Sequence, residues 1–224
     1  MRRGKDREVK EVLLPLTVAY LALCWHGETH GFSESEENVS LPLPRRPFTT
    51  TEYHRMIEVG ILTEDDRVEL IDGEIIEMAP IGPRHTACVK RLAAFLIRKV
   101  KQSAVVGVQD PIQLDNRSEP QPDISVLKWR ADFYAQGHPL PEDVLIAIEV
   151  ADTTLESDRN VKLPSYARAS IPEAWLVDLV NDRVEIHSSP AQGIYQEVRF
   201  VLRRQKVISK TIPSLKLKAD DILG

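Results

Sequence analysis

Residues 144–179, VLIAIEVADTTLESDRNVKLPSYARASIPEAWLVDL, determine the fold predicted for this chain. The segments VLIAIEV (144–150) and EAWLVDL (173–179) are almost wholly apolar, which is typical of strands buried on both faces of a sheet. Between them, NVKLPSYARAS (160–170) predicts a helix whose first turn contains Pro164, a position where a missing N–H is tolerated. A strand, a helix and a second buried strand in this order favour an α/β fold.

The preceding residues predict a helix, a hairpin and a longer helix. Thr49 to Gly60 is a short helical segment with threonines as N-cap candidates and a glycine stop. Asp72-Gly73 between apolar flanks is a strong signal for a two-residue hairpin turn. A further helix begins at Pro83. Apolar residues recur along it at helical spacing: Val89, Leu92, Leu96 and Val100.

Other short apolar runs complete the predicted sheet. AVVGVQ (104–109) and DISVLKW (123–129) predict two strands before residue 144, and RVEIHS (183–188) with YQEVRFV (195–201) predicts a C-terminal hairpin. We therefore expect an α/β fold in which helices flank a mixed central β-sheet, with an N-terminal hairpin and a C-terminal hairpin.

Composition narrows the class of protein. The 224 residues are 42% hydrophobic and 28% charged, which is ordinary for a soluble globular chain and excludes a mainly disordered, collagen-like or polytopic membrane protein. Two cysteines, Cys24 and Cys88, exclude a disulfide scaffold and a cysteine-rich zinc module. Because the net charge is −5, any nucleic-acid role must depend on a local site rather than on a generally basic surface.

Residues 1–46 differ from the rest and are predicted to be an extension and linker. Their apolar run, Val12 to Trp25, is too short for a membrane span, which needs roughly 20 residues. The run has a length typical of a signal-peptide core, although acidic residues precede it and the following residues make a poor cleavage site. A signal peptide, a membrane anchor, a disposable extension and an early start codon remain alternatives. We expect the folded domain over residues 47–224, a cytoplasmic location and no stable membrane association.

Three acidic residues stand out by their placement. Asp123 follows Pro122 at the start of a strand, Glu149 lies near the end of the most buried strand, and Glu69 begins the first hairpin. A carboxylate within a run such as VLIAIEV is costly to bury unless it is paired or bound to a cation. Carboxylates that converge at strand ends make an oxygen site suited to magnesium or manganese. Such a site can activate water and neutralise charge that develops on a phosphate.

Lys162 completes this candidate set. It lies 13 residues beyond Glu149, at the start of a helix expected to pack back onto the sheet. An ammonium there can orient or help deprotonate an attacking water, or stabilise the pentavalent phosphate. Tyr166, four residues further on, shares the same helix face, where packing is its more common role.

Each candidate also has a structural interpretation. Asp123 could cap a turn, Glu149 could form a buried ion pair, and Glu69 could form a cross-strand pair on the hairpin. Lys162 could form a surface pair with Asp158, four residues earlier. His85 lies on the apolar stripe of the helix that begins at Pro83, so it could be a hydrogen-bonded core residue. These alternatives stay open at the level of single residues.

The order and spacing of these segments resemble the Uma-type family of restriction-endonuclease-like proteins in the PD-(D/E)XK nuclease superfamily. The resemblance lies in Pro122-Asp123, in Ile148-Glu149-Val150 and in a helix lysine followed by YARASIPEAWLVDL. The upstream stretches FTTTEYHRMIEVGILTEDDRVELIDGEIIEMAPIGPRH and QPDISVL fit the same pattern. The resemblance runs from about Pro47 to the C-terminus and leaves residues 1–46 uncovered.

The resemblance implies that Asp123 and Glu149 are metal ligands. The superfamily pattern places a lysine two residues after the glutamate, but Ala151 stands at that position. In this family the lysine has moved to the following helix, which implies Lys162 as the catalytic lysine.

The same resemblance implies an activity. Glu69 matches an acidic residue that the superfamily often carries on its first helix or the adjoining strand, and His85 matches a histidine common in this family after the hairpin. Both are therefore candidates for a supporting role, together with Tyr166. The expected activity is Mg²⁺-dependent endonucleolytic hydrolysis of DNA, with Mn²⁺ as a substitute and a 5′ phosphate as product. A homodimer is expected, because cutting two strands takes two sites. The alternatives are a degenerate nucleic-acid-binding or dimerisation module of the same fold, and a soluble protein with a purely structural acidic pocket.

Overall fold

The computed structural model describes residues 44–224 with the exception of Glu64. The predictions made for the apolar run at Val12 to Trp25 lie outside the described residues, and the domain boundary at residue 46 stays a prediction. Within the described part, no helix combines the length and the apolar character needed to cross a membrane.

The first elements form as their local sequence signals predict. The Thr49 side chain accepts a hydrogen bond from the Glu52 amide, and the Glu52 carboxylate accepts one from the Thr49 amide, so a capping box starts the first helix. Asp72 and Gly73 adopt positive φ angles of 52° and 81°, which a two-residue hairpin turn requires. The elements are α1 (Thr50–Glu58), β1 (Val68–Ile71), β2 (Glu74–Glu77) and α2 (Pro83–Val100).

A six-stranded mixed sheet forms the centre of the domain, in the order β3-β4-β5-β6-β7-β8. Neighbouring strands are antiparallel except β5 and β6, which are parallel. Its strands are β3 (Ala104–Val108), β4 (Ile124–Lys128), β5 (Val144–Ala151), β6 (Glu173–Asp178), β7 (Arg183–Ala191) and β8 (Ile194–Leu202). After it come β9 (Lys206–Ile208), β10 (Lys216–Lys218) and α5 (Ala219–Leu223). The predicted α/β class, the mixed sheet and both hairpins are confirmed.

The connection from β5 to β6 is helical but differs from the prediction. Helical structure begins at Leu155, upstream of the predicted start, with α3 (Leu155–Ser157), a π-helical turn (Asp158–Lys162) and α4 (Leu163–Arg168). The Leu163 amide donates to the Asp158 carbonyl, five residues back, which is the π-helical pattern. Pro164 follows directly, and because it has no N–H to donate, it is accommodated in the first turn of α4.

Apolar residues cover both faces of the sheet. On β5, Ile146, Ile148 and Val150 pack on the face covered by α2. Ala147 and Ala151 belong to the opposite face, which packs against α4. Because side chains alternate along a strand, Glu149 projects from that second face, beneath the helical connection. Cys88 is fully buried on α2, where it belongs to the core.

A candidate metal centre

A pocket of roughly 200 Å³ contains most of the predicted site residues. The predicted site residues in it come from five separate segments: β1, the first turn of α2, the residues before β4, the strand β5 and the π-helical turn. Its charged and imidazole side chains include Glu69, His85, Asp123, Glu149, Asp158 and Lys162. The fold therefore brings together residues that are up to 93 positions apart in the chain.

Asp123 lies opposite Glu149 on the neighbouring strand, because the adjacent residues Ile124 and Ile148 are register partners. One carboxylate oxygen of Asp123 accepts from the Val150 amide at 2.9 Å and lies 2.9 Å from His85 Nε2. These partners come from other elements rather than from the turn before β4. The turn-cap alternative therefore does not describe the main contacts of Asp123.

Glu149 is buried, with 2% of its surface exposed. The Tyr166 hydroxyl donates to one of its carboxylate oxygens. Burial raises the pKa of Glu149 well above its usual value, while the nearby Lys162 ammonium opposes that rise. Burial, reinforced by Glu149, also raises the pKa of Tyr166, so its hydroxyl keeps its proton.

Lys162 reaches the carboxylates from the π-helical turn. Its Nζ lies 3.1 Å from Glu69 Oε2 and 3.4 Å from Glu149 Oε1, and it donates to the Gln121 carbonyl at 3.3 Å. Burial lowers the pKa of Lys162, but the carboxylates of Glu149 and Glu69 outweigh that effect and raise it above its ordinary value. The ammonium therefore keeps its proton at neutral pH.

The surface pair suggested for Lys162 and Asp158 is wrong, since both residues are buried, at 8% and 4% exposure. Asp158 lines the pocket, and burial raises its pKa to about 6. From the sequence, Asp158 was considered only as a surface partner of Lys162. Its place one helical turn before Lys162 was the signal that could have identified it.

Glu69 joins the pocket to the residues that precede β4. Its Oε2 accepts from the Gln121 amide at 3.0 Å and lies close to Lys162. Its register partner on β2 is Ile76, so the cross-strand charge pair considered for Glu69 is wrong. Gln121 was not among the predicted residues, although it stands between Glu119 and Asp123 in an extended stretch where alternate residues share a side.

His85 is oriented by the Asp123 carboxylate, which also accepts the hydrogen bond from the Val150 amide on β5. The hydrogen bond to Asp123 raises the pKa of His85, and burial opposes the rise. His85 therefore belongs to the pocket wall and contacts a candidate ligand, rather than lying only in the apolar core.

The pocket residues fit a hard divalent cation. Four carboxylates, Glu69, Asp123, Glu149 and Asp158, face a single ammonium, and three of the four are at least nine-tenths buried. The raised pKa values of Glu149 and Asp158 reflect the cost of burying negative charge there. Oxygen donors in excess of positive charge are the set that magnesium and manganese prefer.

The mixed sheet and the acidic pocket together define a restriction-endonuclease-like α/β protein. Residues 50–220 match the Uma2 family, described as "Putative restriction endonuclease", and the chain belongs to this family. Membership confirms the resemblance seen in the sequence and supports a nuclease role.

Solved structures support the same fold. The domain resembles the crystal structure of a putative nuclease belonging to DUF820 from Anabaena variabilis ATCC 29413, with a TM-score of 0.62 and 18% identity. The similarity covers 79% of this chain and 98% of that chain. Among curated proteins, none matches significantly.

Proposed function

We propose that the protein is a Mg²⁺-dependent endonuclease, with Mn²⁺ as a substitute, that hydrolyses phosphodiester bonds of DNA in the cytoplasm and leaves a 5′ phosphate. The observation that carries the proposal is the convergence of Asp123, Glu149 and Lys162 from three elements into one buried pocket. Family membership supports the nuclease part of this proposal.

Asp123 and Glu149 would hold the metal, which when bound supplies positive charge to the phosphate and makes water more acidic. The Val150 amide and His85 fix the Asp123 carboxylate, and the Tyr166 hydroxyl fixes Glu149. Each proposed metal-binding carboxylate is thus oriented by neighbouring groups before the metal binds, which lowers the cost of organising the site.

Lys162 would act as a charged donor. Because its ammonium keeps its proton, it can orient the attacking water and stabilise negative charge on the phosphate, rather than accept a proton. Glu69 assists by holding the ammonium at 3.1 Å. This contact between Lys162 and the carboxylates favours a catalytic centre over the degenerate module considered from the sequence.

The test is nicking of supercoiled plasmid by the full chain in Mg²⁺ or Mn²⁺. We expect Glu149→Gln and Lys162→Met each to lower the rate by at least about 100-fold, the size typical of losing one catalytic group. Titration calorimetry should show Mg²⁺ binding lost in Glu149→Gln and kept in Lys162→Met. Lys99→Met, an exposed lysine on α2, is the matched control and should cut like the parent.

Three results would contradict the proposal. Nicking that persists in Glu149→Gln would identify a contaminating nuclease. No nicking together with no Mg²⁺ binding would remove the metal centre. DNA binding that weakens with salt, without cleavage, would favour the non-catalytic module. Sedimentation analysis of the same sample tests the proposed homodimer.

A further inference from the structure

A second group of potential metal ligands lies outside the acidic pocket. It consists of His54 on α1, Glu119 before β4 and His138 in the segment that precedes β5. One ligand atom from each residue lies within 4.8 Å of the other two. None of these three residues lines the acidic pocket.

Glu119 is the centre of this group. His54 Nε2 lies 2.9 Å from both of its carboxylate oxygens, and His138 Nε2 lies 3.9 Å from Oε1. The two imidazole rings are 6.0 Å apart between centroids. Both rings therefore approach the same carboxylate, although they come from different parts of the chain.

The burial of Glu119 requires compensation by hydrogen bonds or by positive charge. Its side chain is 3% exposed, whereas His54 and His138 are 41% and 42% exposed. In the described part of the chain, the only ion-pair partners within 4.0 Å of Glu119 are these two imidazoles. Other buried carboxylates are compensated by a lysine or an arginine, such as Lys162 beside Glu149 and Arg183 beside Glu185, or by several hydrogen-bond donors, as Glu173 is. A buried carboxylate without a cation is costly.

We propose that His54, Glu119 and His138 bind a divalent transition-metal ion of the zinc type. Two imidazole nitrogens and one carboxylate oxygen are a common donor set for zinc, with water in the remaining position. Imidazole ligands favour zinc over magnesium, so this site would differ in metal preference from the oxygen-lined pocket. The partly exposed His54 and the exposed His138 leave the site open to solvent and to the incoming ion.

The geometry requires little movement. Ligands at about 2.0 Å from a tetrahedral zinc ion lie about 3.3 Å from one another. The observed separations from Glu119, 2.9 Å for His54 and 3.9 Å for His138, lie on either side of that value. Small rotations of the two histidine side chains, one partly exposed and one exposed, would bring all three donors into range.

The site is mechanically connected to the acidic pocket. The Glu119 amide donates to the Leu70 carbonyl at 2.7 Å, next to Glu69, and Glu119 lies two residues before Gln121, which contacts both Glu69 and Lys162. An ion at Glu119 would join α1 and the segment of His138 to this stretch. We therefore expect it to stabilise the frame of the pocket without touching the substrate.

The test uses the full chain with excess Mg²⁺, so that the acidic pocket is saturated while Zn²⁺ is titrated by calorimetry. We expect His54→Gln and His138→Gln each to weaken one equivalent of Zn²⁺ binding at least about tenfold. Arg55→Gln, an exposed neighbour on the same helix, is the matched control and should bind like the parent. Glu149→Gln should also keep this Zn²⁺ site, which separates it from the proposed nuclease centre.

Co²⁺ in place of Zn²⁺ gives a second measurement, since tetrahedral coordination produces strong visible absorption. That absorption should be lost in both histidine variants, and the unfolding temperature should rise with Zn²⁺ in the parent but not in them. Unchanged Zn²⁺ affinity in both variants would overturn the proposal. So would the absence of Zn²⁺ binding by the parent, which would leave only the hydrogen bond between His54 and Glu119. Since neither histidine is buried, the variants should fold.

Discussion

Glu185 on β7 illustrates how single residues govern the response of this protein to pH. Burial alone would raise its pKa, but hydrogen bonds from His187 and Arg159, together with the charge of Arg183, outweigh burial and lower the pKa to about 2. Arg159 Nη2 donates to Oε1 at 2.7 Å, and Arg183 lies 2.9 Å from the same oxygen. Glu185 is therefore charged in the folded state at all but strongly acidic pH.

We expect this lowered pKa to stabilise the fold above pH 4.5 and to lose its effect as pH falls towards 2. The folded-state pKa lies below the unfolded value, so acid protonates the unfolded chain first. Because the two arginines are partly exposed and solvent screens them, the lowered pKa contributes only about 2 kcal/mol to the free energy of unfolding. Urea unfolding of the parent and of Glu185→Gln should differ most at pH 7 and least near pH 2. A difference independent of pH would contradict this assignment.

Sequence reasoning selected pocket-lining residues that lie beside a strong local pattern. Asp123 and Glu149 are next to buried strands, and Glu69 is next to a hairpin turn, so their placement was visible. The group of His54, Glu119 and His138 was not predicted, because its members are far apart in the chain and no motif joins them. Their proximity depends on how α1 packs, which is a tertiary property.

At the scale of elements, the β1–β2 hairpin depends on Gly73. Its φ of 81° is unfavourable for residues with a side chain, and a Cβ there would collide with Pro47. Its carbonyl also accepts from the Phe48 amide at 2.8 Å. The turn therefore has both a conformational and a steric reason for glycine.

We expect Gly73→Ala to lower the free energy of unfolding by about 2 kcal/mol or more, because strain and collision add. Gly60→Ala separates the two causes, since Gly60 has a similar φ of 76° with open space around it. Gly60→Ala should lower the free energy of unfolding by only about 1 kcal/mol. Urea unfolding measures both values, and equal losses would show that the contact with Pro47 is unimportant.

The elements differ in how far their sequences define them. The hairpin turn and α2 were predicted because their signals, Asp-Gly and a regular apolar stripe, are local. The helix between β5 and β6 was predicted to start too late. Its π-helical turn forms where Lys162 and Asp158 are buried against the pocket, and that contact has no local sequence signal.

Two buried glutamates have opposite effects on the stability of the whole molecule. Glu173 is 0% exposed and its carboxylate accepts four hydrogen bonds, three of which join the sheet to the chain after β9. Its donors are Trp175 Nε1 at 2.6 Å, Ser209 Oγ at 2.9 Å, the Lys210 amide at 2.8 Å and the Thr211 amide at 2.7 Å. The burial of the Glu149 carboxylate is offset by fewer contacts, those with the Tyr166 hydroxyl and the Lys162 ammonium. Incomplete compensation of this kind is typical of functional sites that reduce stability.

We expect Glu173→Gln to lower the free energy of unfolding by about 2 kcal/mol, since it weakens hydrogen bonds to a charged acceptor. Glu149→Gln, measured in EDTA, should unfold at the same temperature as the parent or higher. Added Mg²⁺ should then raise the unfolding temperature of the parent and of Glu173→Gln, but not of Glu149→Gln. A large loss of stability in Glu149→Gln with EDTA would show that Glu149 is a structural residue.

The architecture of the whole domain was predictable only as a class. Buried apolar strands and an amphipathic helix predicted a mixed sheet with helices on its faces. The strand order and the pairing of β4 with β5, which sets Asp123 opposite Glu149, are absent from any local pattern because they depend on long-range contacts.

The π-helical turn makes this centre sensitive to insertions and deletions. A lysine on the strand would have a fixed position beside the glutamate. The position of the Lys162 side chain instead depends on the number of residues between Leu155 and Lys162. Deleting one of them would convert the wide turn to an ordinary one and rotate Lys162 by about 100° relative to β5. The helix would still form and its remaining residues would be unchanged, yet the Lys162 ammonium would no longer contact Glu149. Among related genes, loop length here is therefore as informative as residue identity.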